Sequence, residues 1–412
     1  MTLASLVEDV LHGDLPVAVS AYDGSRAGPA DADTTLLVKS RDALLRIATA
    51  PGELGIARAY VAGDLDIDGS IWDVLDLRDR MPNVGLDRTH MLQVVRELGG
   101  WRRLRLLPPP PEEVRLRGRR HSAARDAAAI SHHYDVSNAF YRLVLGPSLT
   151  YSCAVFHDPG DSLEEAQANK YELICRKLGL RPGMRLLDVG CGWGGMVLHA
   201  AEHHGVTAVG ITLSKPQAEL AQKRAAQAGL SERVEIRQQD YRHVSDGPFD
   251  AISSIGMFEH VGQAHLAEYF ERLRELLAAG GRLLNHGISH PPGQRARLPQ
   301  RSFANRYVFP DGELHEIGRV VSTIQTAGFE VRHLESLREH YALTLRRWVD
   351  NLERAWDEAV EEVGEGRARV WRLYMAASAI NFEAGRTQIH QVLATPNADD
   401  GASGMPLRPV FE

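Results

Sequence analysis

The chain has 412 residues, 44% hydrophobic and 25% charged, which is apolar mass for two or three packed domains and too little charge for wholesale disorder. A formal net charge of -7 argues against a general nucleic-acid binder, and no apolar run approaches the 18 residues of a membrane span. The acidic start "MTLASLVEDVLHGDLP" does not read as a signal peptide, and Cys153, Cys175 and Cys191 are too scattered for a disulfide framework or a zinc cluster, so a reduced, cytoplasmic protein is expected.

In chain order, residues 1 to about 100 alternate short β-like runs such as "TTLLVKS" with the helical stretch "PGELGIARAYVAGDLDI", which predicts a small α+β domain. Residues 101–125, "WRRLRLLPPPPEEVRLRGRRHSAAR", hold four consecutive prolines and seven arginines between Arg102 and Arg120. Two readings stand for this linker. It is a stiff solvated spacer, or a basic patch for anionic lipid headgroups at about 1 kcal/mol per arginine.

A regular alternation follows. "SLEEAQANKYELICRKLGL" predicts a helix with Ser162 and Glu165 as a capping box. Then come "RLLDVG" as strand, "MVLHAAEHH" as helix, "TAVGITL" as strand, "KPQAELAQKRAAQAG" as helix, "VEIRQQD" and "FDAISSIGM" as strands, "LAEYFERLRELLAAGG" as helix and "RLLNHGI" as strand. This pattern predicts an α/β domain over 126–395 with a parallel sheet covered on both faces, and a disordered tail over 396–412. Ligands of such sheets sit at the carboxyl ends of the strands, where strand order reverses.

"LLDVGCGWGG" ends its strand in Asp188 and opens a helix through Gly190, Gly192, Gly194 and Gly195. Such a turn serves dinucleotides as well as S-adenosylmethionine. A dinucleotide fold places an acid about 20 residues on, yet that place reads "GITLSKPQ", with Thr212, Ser214 and Gln217. Asp240 and Tyr241 close the next strand, where an adenine can stack and hydrogen-bond. Together these favour S-adenosylmethionine over a nicotinamide cofactor, and they leave Cys191 and Trp193 as packing residues.

Outside the turn, "HHYDVSNAFYRLVLGPSLTYSCAVF" is dense in aromatic and small polar residues. "SIGMFEHVG" puts Glu259 past a strand end, "LLNHGI" does the same for His286, and "REHYALTLRRW" brings Tyr341. Each has an ordinary structural role on offer: a helix cap, a strand-end histidine, a core tyrosine.

These motifs, with "HYDVSN", "TLSKPQ", "DYR", "FPDGEL" and "HYALTLRRW", run in order over about residues 125–395. Over that span the chain resembles the cyclopropane-fatty-acid synthase family of S-adenosylmethionine-dependent lipid methyltransferases, which includes the mycolic-acid cyclopropane synthases. The resemblance implies a Rossmann-like class I methyltransferase domain with a smaller N-terminal α+β domain. "ELGIARAYVAGDLDIDG" resembles the N-terminal domain of the phospholipid-acting members, which favours phospholipid acyl chains as substrate. It also implies a dimer through that domain and an enzyme peripheral to the inner face of the membrane.

By motif, Tyr151 and Ser152 would meet the methionine end of the cofactor, and Gly190 and Gly192 would line it. Thr212, Leu213 and Gln217 would hold the ribose and neighbouring groups, with Asp240 and Tyr241 by the adenine. The family keeps a bicarbonate ion at the reacting centre, and its implied ligands are Cys153, Ile255 through its backbone, Glu259, His286 and Tyr341. The family commonly reads Leu-Leu-His-x-Ile, whereas here Asn285 intervenes. A one-residue slip would turn His286 to the opposite face, and a local bulge would be needed to restore it.

The implied chemistry is methyl addition to a cis double bond, stabilisation of the resulting cation by aromatic faces such as Phe258 or Tyr307, and proton loss. Loss from the new methyl closes a cyclopropane. A hydride shift first gives a methylene group, which a partner reductase would convert to a methyl branch as in tuberculostearate-type lipids. The same motifs serve both outcomes, with ring closure ahead on family frequency; a remoter alternative is a non-catalytic lipid-binding protein with a vestigial methyltransferase fold.

Overall fold

The computed structural model describes residues 2–10, 16–80, 88–97, 100, 106–114, 136–294, 296, 298–310, 312–396 and 401–411. The chain divides into two compact units: one of residues 1–118, 299–310 and 355–380, the other of 119–298, 311–354 and 381–412.

In the smaller unit β1 (Ala18–Ala21), β2 (Arg26–Ala27), β3 (Thr35–Val38) and β4 (Leu65–Asp68) form a sheet in the order β2-β1-β3-β4. Alternate residues of β1 and β3 point inward, so Val19, Ala21, Leu36 and Val38 meet Leu44 and Leu45 of the Arg41–Thr49 helix. The predicted helical stretch 51–67 is helical only over Glu53–Val61; Gly63, with φ of 75°, turns the chain into β4.

Distant segments complete this unit, which is therefore not the N-terminal hundred residues alone. Glu113 receives two hydrogen bonds from Arg58, at 2.7 and 2.8 Å, and one from the Tyr307 hydroxyl at 3.3 Å. The Val114 amide donates to the Arg306 carbonyl at 2.8 Å. Residues 106–114 are thus anchored rather than a free spacer, because a buried carboxylate takes the cation and donors that satisfy it. The rest of the predicted linker, 101–105 and 115–125, lies outside the described residues.

In the larger unit, β5 (Arg185–Val189), β6 (Thr207–Thr212), β7 (Val234–Gln238), β8 (Phe249–Ile255), β9 (Leu277–His290), β11 (Phe329–Ser336) and β12 (Gln388–Pro396) lie in the order β11-β12-β9-β8-β5-β6-β7. The strands from β9 to β7 are parallel, as predicted; β12 is antiparallel to both β9 and β11, and β10 (His315–Glu316) extends the end of β9. The Leu163–Leu178, Gly195–His204 and Lys215–Gln227 helices cover one face, and the Leu266–Leu276 and Ile317–Thr326 helices the other.

The helix predicted over 266–281 stops at Leu276. β9 begins at Leu277, opposite Phe249, and irregular pairing then carries the register to Ala251 opposite Arg282. A β-carbon at Gly281 would lie 2.9 Å from the Asp250 carbonyl oxygen, so only glycine passes there.

The tail is not wholly disordered as predicted. Met405 and Phe411 pack against the helix-covered core, and Arg282 donates to the Gly404 carbonyl at 3.1 Å. Low hydropathy hid two apolar anchors. Among the described residues, no helix is long and apolar enough to cross a membrane.

Candidate active site

β5 has β6 on one side and β8 on the other, so strand order reverses beside "VGCGWGG". Gly190 turns the chain with φ of 82°, and the amides of Gly190 and Cys191 donate to the Ile211 carbonyl at 3.0 and 2.9 Å. A β-carbon on Gly195 would overlap the Tyr171 hydroxyl, so the 195–204 helix begins in direct contact with the 163–178 helix. Trp193 is buried and donates to Asn138 at 2.8 Å, and with Cys191 it also lines the cavity that opens here.

A cavity of about 490 Å³ opens at this reversal, within the usual range for a small-molecule site. It is lined by all nine cofactor candidates, Tyr151, Ser152, Gly190, Gly192, Thr212, Leu213, Gln217, Asp240 and Tyr241, and by Ile255. Thr212 donates to Gln217 at 2.9 Å, which fixes both side chains on one wall. Asp240 caps the turn that carries Tyr241 and accepts from the Arg242 amide and guanidinium.

Over the cavity runs the strap 150–156, held on both sides. Gln167 donates to the Ser152 carbonyl at 2.9 Å and Lys170 to the Ser152 hydroxyl at 3.1 Å. From the Arg338–Arg354 helix, Thr344 accepts from the Ala154 amide and His340 from the Phe156 amide. The strap contributes Tyr151 to a row of rings: Trp193 to Tyr141 at 4.8 Å, Tyr141 to Tyr151 at 5.9 Å, Tyr151 to Trp348 at 5.3 Å, Trp348 to Tyr341 at 6.0 Å and Tyr341 to Phe382 at 4.7 Å.

Cys153, Glu259, His286 and Tyr341 stand outside the cavity lining; backbone pairing through Ile288, Ile389 and Leu337 links Glu259 to Tyr341 and Cys153. Glu259 Oε1 accepts from the Ile288 amide at 2.7 Å; Ile288 pairs with Ile389, whose carbonyl accepts from the Leu337 amide. The Leu337 carbonyl in turn accepts from the Tyr341 amide and, at 3.7 Å, from the Cys153 thiol. Glu259 keeps some residue exposure, yet its Oε2 is buried without a protein partner among the described residues, as is His286 Nε2.

No bulge lies at His286: the register from Ala251 opposite Arg282 to Ile255 opposite His286 is unbroken. His286 faces the helix-163–178 side, where Gln391 meets its Nδ1 at 3.0 Å, while Asn285 pairs across from Ser254 and Val392. The feared slip is therefore not corrected by a bulge; His286 simply lies on the face of Lys170 and Lys177.

Burial governs the charges. It pushes the Glu259 carboxyl up to about 7, against the pull of the Ile288 amide. It brings Lys170 down to about 7, partly offset by Asp188 and Cys153, and raises Asp188 to about 6, partly offset by its bonds to Ser253 and by Lys170. Burial also raises the Cys153 thiol, which stays a protonated donor, and lowers His286, which stays neutral, with Lys170 and Lys177 acting in the same sense.

Of the two rings expected to stabilise a cation, neither lines the cavity: Phe258 lies in the core over Gly287, because a glycine there leaves room for the ring, and Tyr307 is described within the smaller unit. The aromatic side chains lining the cavity are Tyr151, Tyr171, Trp193 and Tyr241, with Tyr141 and Trp348 packed against Tyr151. Sequence reading also missed Lys170, His260 and Trp348. Lys170 and Gln167 had left a signal, since they fall on the apolar stripe of their helix with Leu163, Ala166, Ile174 and Leu178.

Comparison with known proteins agrees with this geometry. The family model described as "Mycolic acid cyclopropane synthetase" matches residues 121–392. A probable fatty acid methyltransferase of Mycobacterium tuberculosis, Rv3720, is 48% identical over 411 residues, covering 97% of this chain and 96% of the relative. The cyclopropane-fatty-acyl-phospholipid synthase of Escherichia coli is 36% identical over 269 residues, 65% of this chain and 68% of the relative. The solved mycolic acid cyclopropane synthase CmaA1, complexed with SAH and CTAB, superposes with a TM-score of 0.61 at 35% identity, covering 65% of this chain and 97% of that one.

Proposed function

The chain belongs to the mycolic acid cyclopropane synthetase family, and from that premise we propose that this S-adenosylmethionine-dependent lipid methyltransferase adds a one-carbon unit to the cis double bond of an unsaturated fatty acyl chain in a phospholipid and closes a cyclopropane ring. The observation that carries this reading is the cavity at the strand reversal, which gathers the glycine turn, the Thr212–Gln217 pair and Tyr241 under the strap of Tyr151 and Ser152.

Bound S-adenosylmethionine supplies an electrophilic sulfonium methyl. Gly190, Gly192, Thr212, Leu213, Gln217, Asp240 and Tyr241 would hold its nucleoside, and Tyr151 and Ser152 its methionine end. The row of Tyr141, Tyr151 and Trp348 excludes water and offers ring faces worth about 1–2 kcal/mol to a desolvated cation. Glu259, with a carboxyl poised near neutrality, holds or accepts the departing proton. Bicarbonate would fit beside Glu259, whose Oε2 is buried without a partner among the described residues; His286 Nε2 is likewise unpartnered but lies on the face of Lys170 and Lys177. Cys153, the Ile255 backbone, Glu259, His286 and Tyr341 would be its ligands, and it would supply a further proton acceptor.

A second outcome of the same transfer is a methylene group, reduced to a methyl branch by a partner enzyme. The relatives that span nearly the whole chain are named probable fatty acid methyltransferases, a name compatible with either product. Action on membrane phospholipid calls for peripheral attachment, for which the arginines between 102 and 120 are the candidates.

The deciding experiment incubates the purified chain with S-adenosylmethionine and oleoyl-phospholipid vesicles, then hydrogenates the released fatty acids mildly before mass spectrometry. A one-carbon gain that resists hydrogen is the expected cyclopropane. A gain that takes up hydrogen assigns the methylene route, and no gain overturns the phospholipid reading.

A further inference from the structure

Away from the cavity, the 163–178 and 195–204 helices bring four metal-binding side chains to one point. Glu172 and Cys175 stand one turn apart on the first helix, and His199 and His204 on the second. Glu172 Oε2 lies 2.9 Å from His204 Nε2 and 3.4 Å from His199 Nε2. The donor atoms of Cys175, His199 and His204 all lie within 4.8 Å of one another. Cys175 is fully buried, whereas the Glu172 side chain is 32% exposed, which leaves an entry path for an ion.

We propose that Glu172, Cys175, His199 and His204 form a binding site for one divalent transition-metal ion, zinc first. Thiolate, imidazole and carboxylate are each zinc ligands, and four of them together complete the tetrahedral coordination zinc adopts. Metal–sulfur and metal–nitrogen bonds of about 2.3 and 2.0–2.1 Å place such donors roughly 3.3–3.6 Å apart, so closure needs side-chain shifts of about 1 Å. Binding releases the Cys175 thiol proton to water; Glu172 is already ionised, and both imidazoles coordinate in neutral form. Scattered cysteines argued against a zinc cluster in the sequence because its donors come from two helices joined through a strand. The ion would tie together the helices that carry Lys170, Tyr171 and Gly195 to the cavity wall.

The test titrates untagged, chelator-treated full-length protein with cobalt(II). One equivalent is expected to bind with a strong near-ultraviolet thiolate charge-transfer band and the visible bands of tetrahedral cobalt, both abolished by zinc. Cys175→Ser should remove the near-ultraviolet band. His204→Asn, at the end of its helix, should weaken binding at least about tenfold, the loss that even an outer-shell change produces. Circular dichroism checks that each variant folds, and the wild-type band stands if Cys175→Ser does not. No uptake, uptake without the thiolate band, or titrations unchanged in both variants would each overturn the site. None of these readouts uses lipid, so the site and the methyl-transfer reading fail independently.

Discussion

Glu259 couples chemistry to pH through one buried oxygen. Its carboxyl is raised from 4.5 to about 7 because burial penalises the charged form. Below pH 4.5 the group is neutral in both the folded and the unfolded chain and costs nothing. As pH rises toward 7, the unfolded chain ionises first and the folded state loses stability relative to it, with a ceiling on the order of 3 kcal/mol. Glu259→Gln removes that titration while keeping an acceptor for the Ile288 amide. The variant should therefore gain stability over the parent as pH climbs from 5 to 8, read as a growing difference in unfolding temperature. Turnover should fall by about a hundredfold or more, as for loss of a positioned base, with the affinity for S-adenosylhomocysteine nearly unchanged. A pH-independent difference would mean that Glu259 ionises freely, and residual turnover near the parent's would remove it from the proton step.

At the scale of elements, the cavity wall depends on how closely two helices meet. Gly195 opens one helix against Tyr171 of the other, whose hydroxyl bonds Thr150 at 2.6 Å in the strap. Gly195→Ala should cost about 1–3 kcal/mol from overpacking and weaken cofactor binding, because the helix start must retreat from the turn. Tyr171→Phe alone should cost about 1 kcal/mol for its lost hydrogen bond. The double variant should recover part of the sum, since the hydroxyl is the nearest obstacle, although the ring carbon Cζ remains 2.8 Å from the new methyl. Denaturant unfolding gives the coupling, and strict additivity would show that the clash relaxes elsewhere. Elements like these were legible in the chain where local chemistry is decisive. The Ser162–Glu165 capping box marks the 163–178 helix, and the glycines mark the turn after β5. The start of β9 was not, because "LLAAGG" suits a helix end until pairing with Phe249 claims Leu277. Seven of the cofactor candidates were readable because they end or follow a strand, whereas Tyr151 and Ser152 lie between two helices and rested on the resemblance alone. The ring row from Trp193 to Phe382 was hidden, because its members come from segments that only tertiary packing joins.

At the scale of the whole molecule, a proline-rich stretch near residue 108 invites a cut that the fold does not support. The smaller unit recruits residues 299–310 and 355–380, far beyond that stretch. In the Glu365–Glu383 helix, Arg369 is almost fully buried and pairs with Asp66 of β4 at 2.9 Å, with Glu365 at 2.8 Å and with the Tyr60 carbonyl at 3.3 Å. Within the same unit, Tyr307 loses Glu113 if the first 118 residues are removed, and Phe303 loses the Glu53 carboxylate that accepts from its amide at 3.1 Å. A fragment of residues 126–412 would therefore lose the Arg369–Asp66 pair together with the segment that buries it, and breaking such a buried pair typically costs about 3–5 kcal/mol. At the usual unfolding entropy per residue that corresponds to a fall of about 3–8 °C in unfolding temperature. Val370, Trp371 and Met375, now buried, would be exposed as well, and the fragment should bind a hydrophobic dye. Arg369→Met in the full chain separates the two effects: it should reproduce most of the temperature loss with little dye binding. A fragment that unfolds at the parent's temperature would show that residues 299–310 and 355–380 pack without the N-terminal sheet, and that the cut near residue 108 is a true domain boundary.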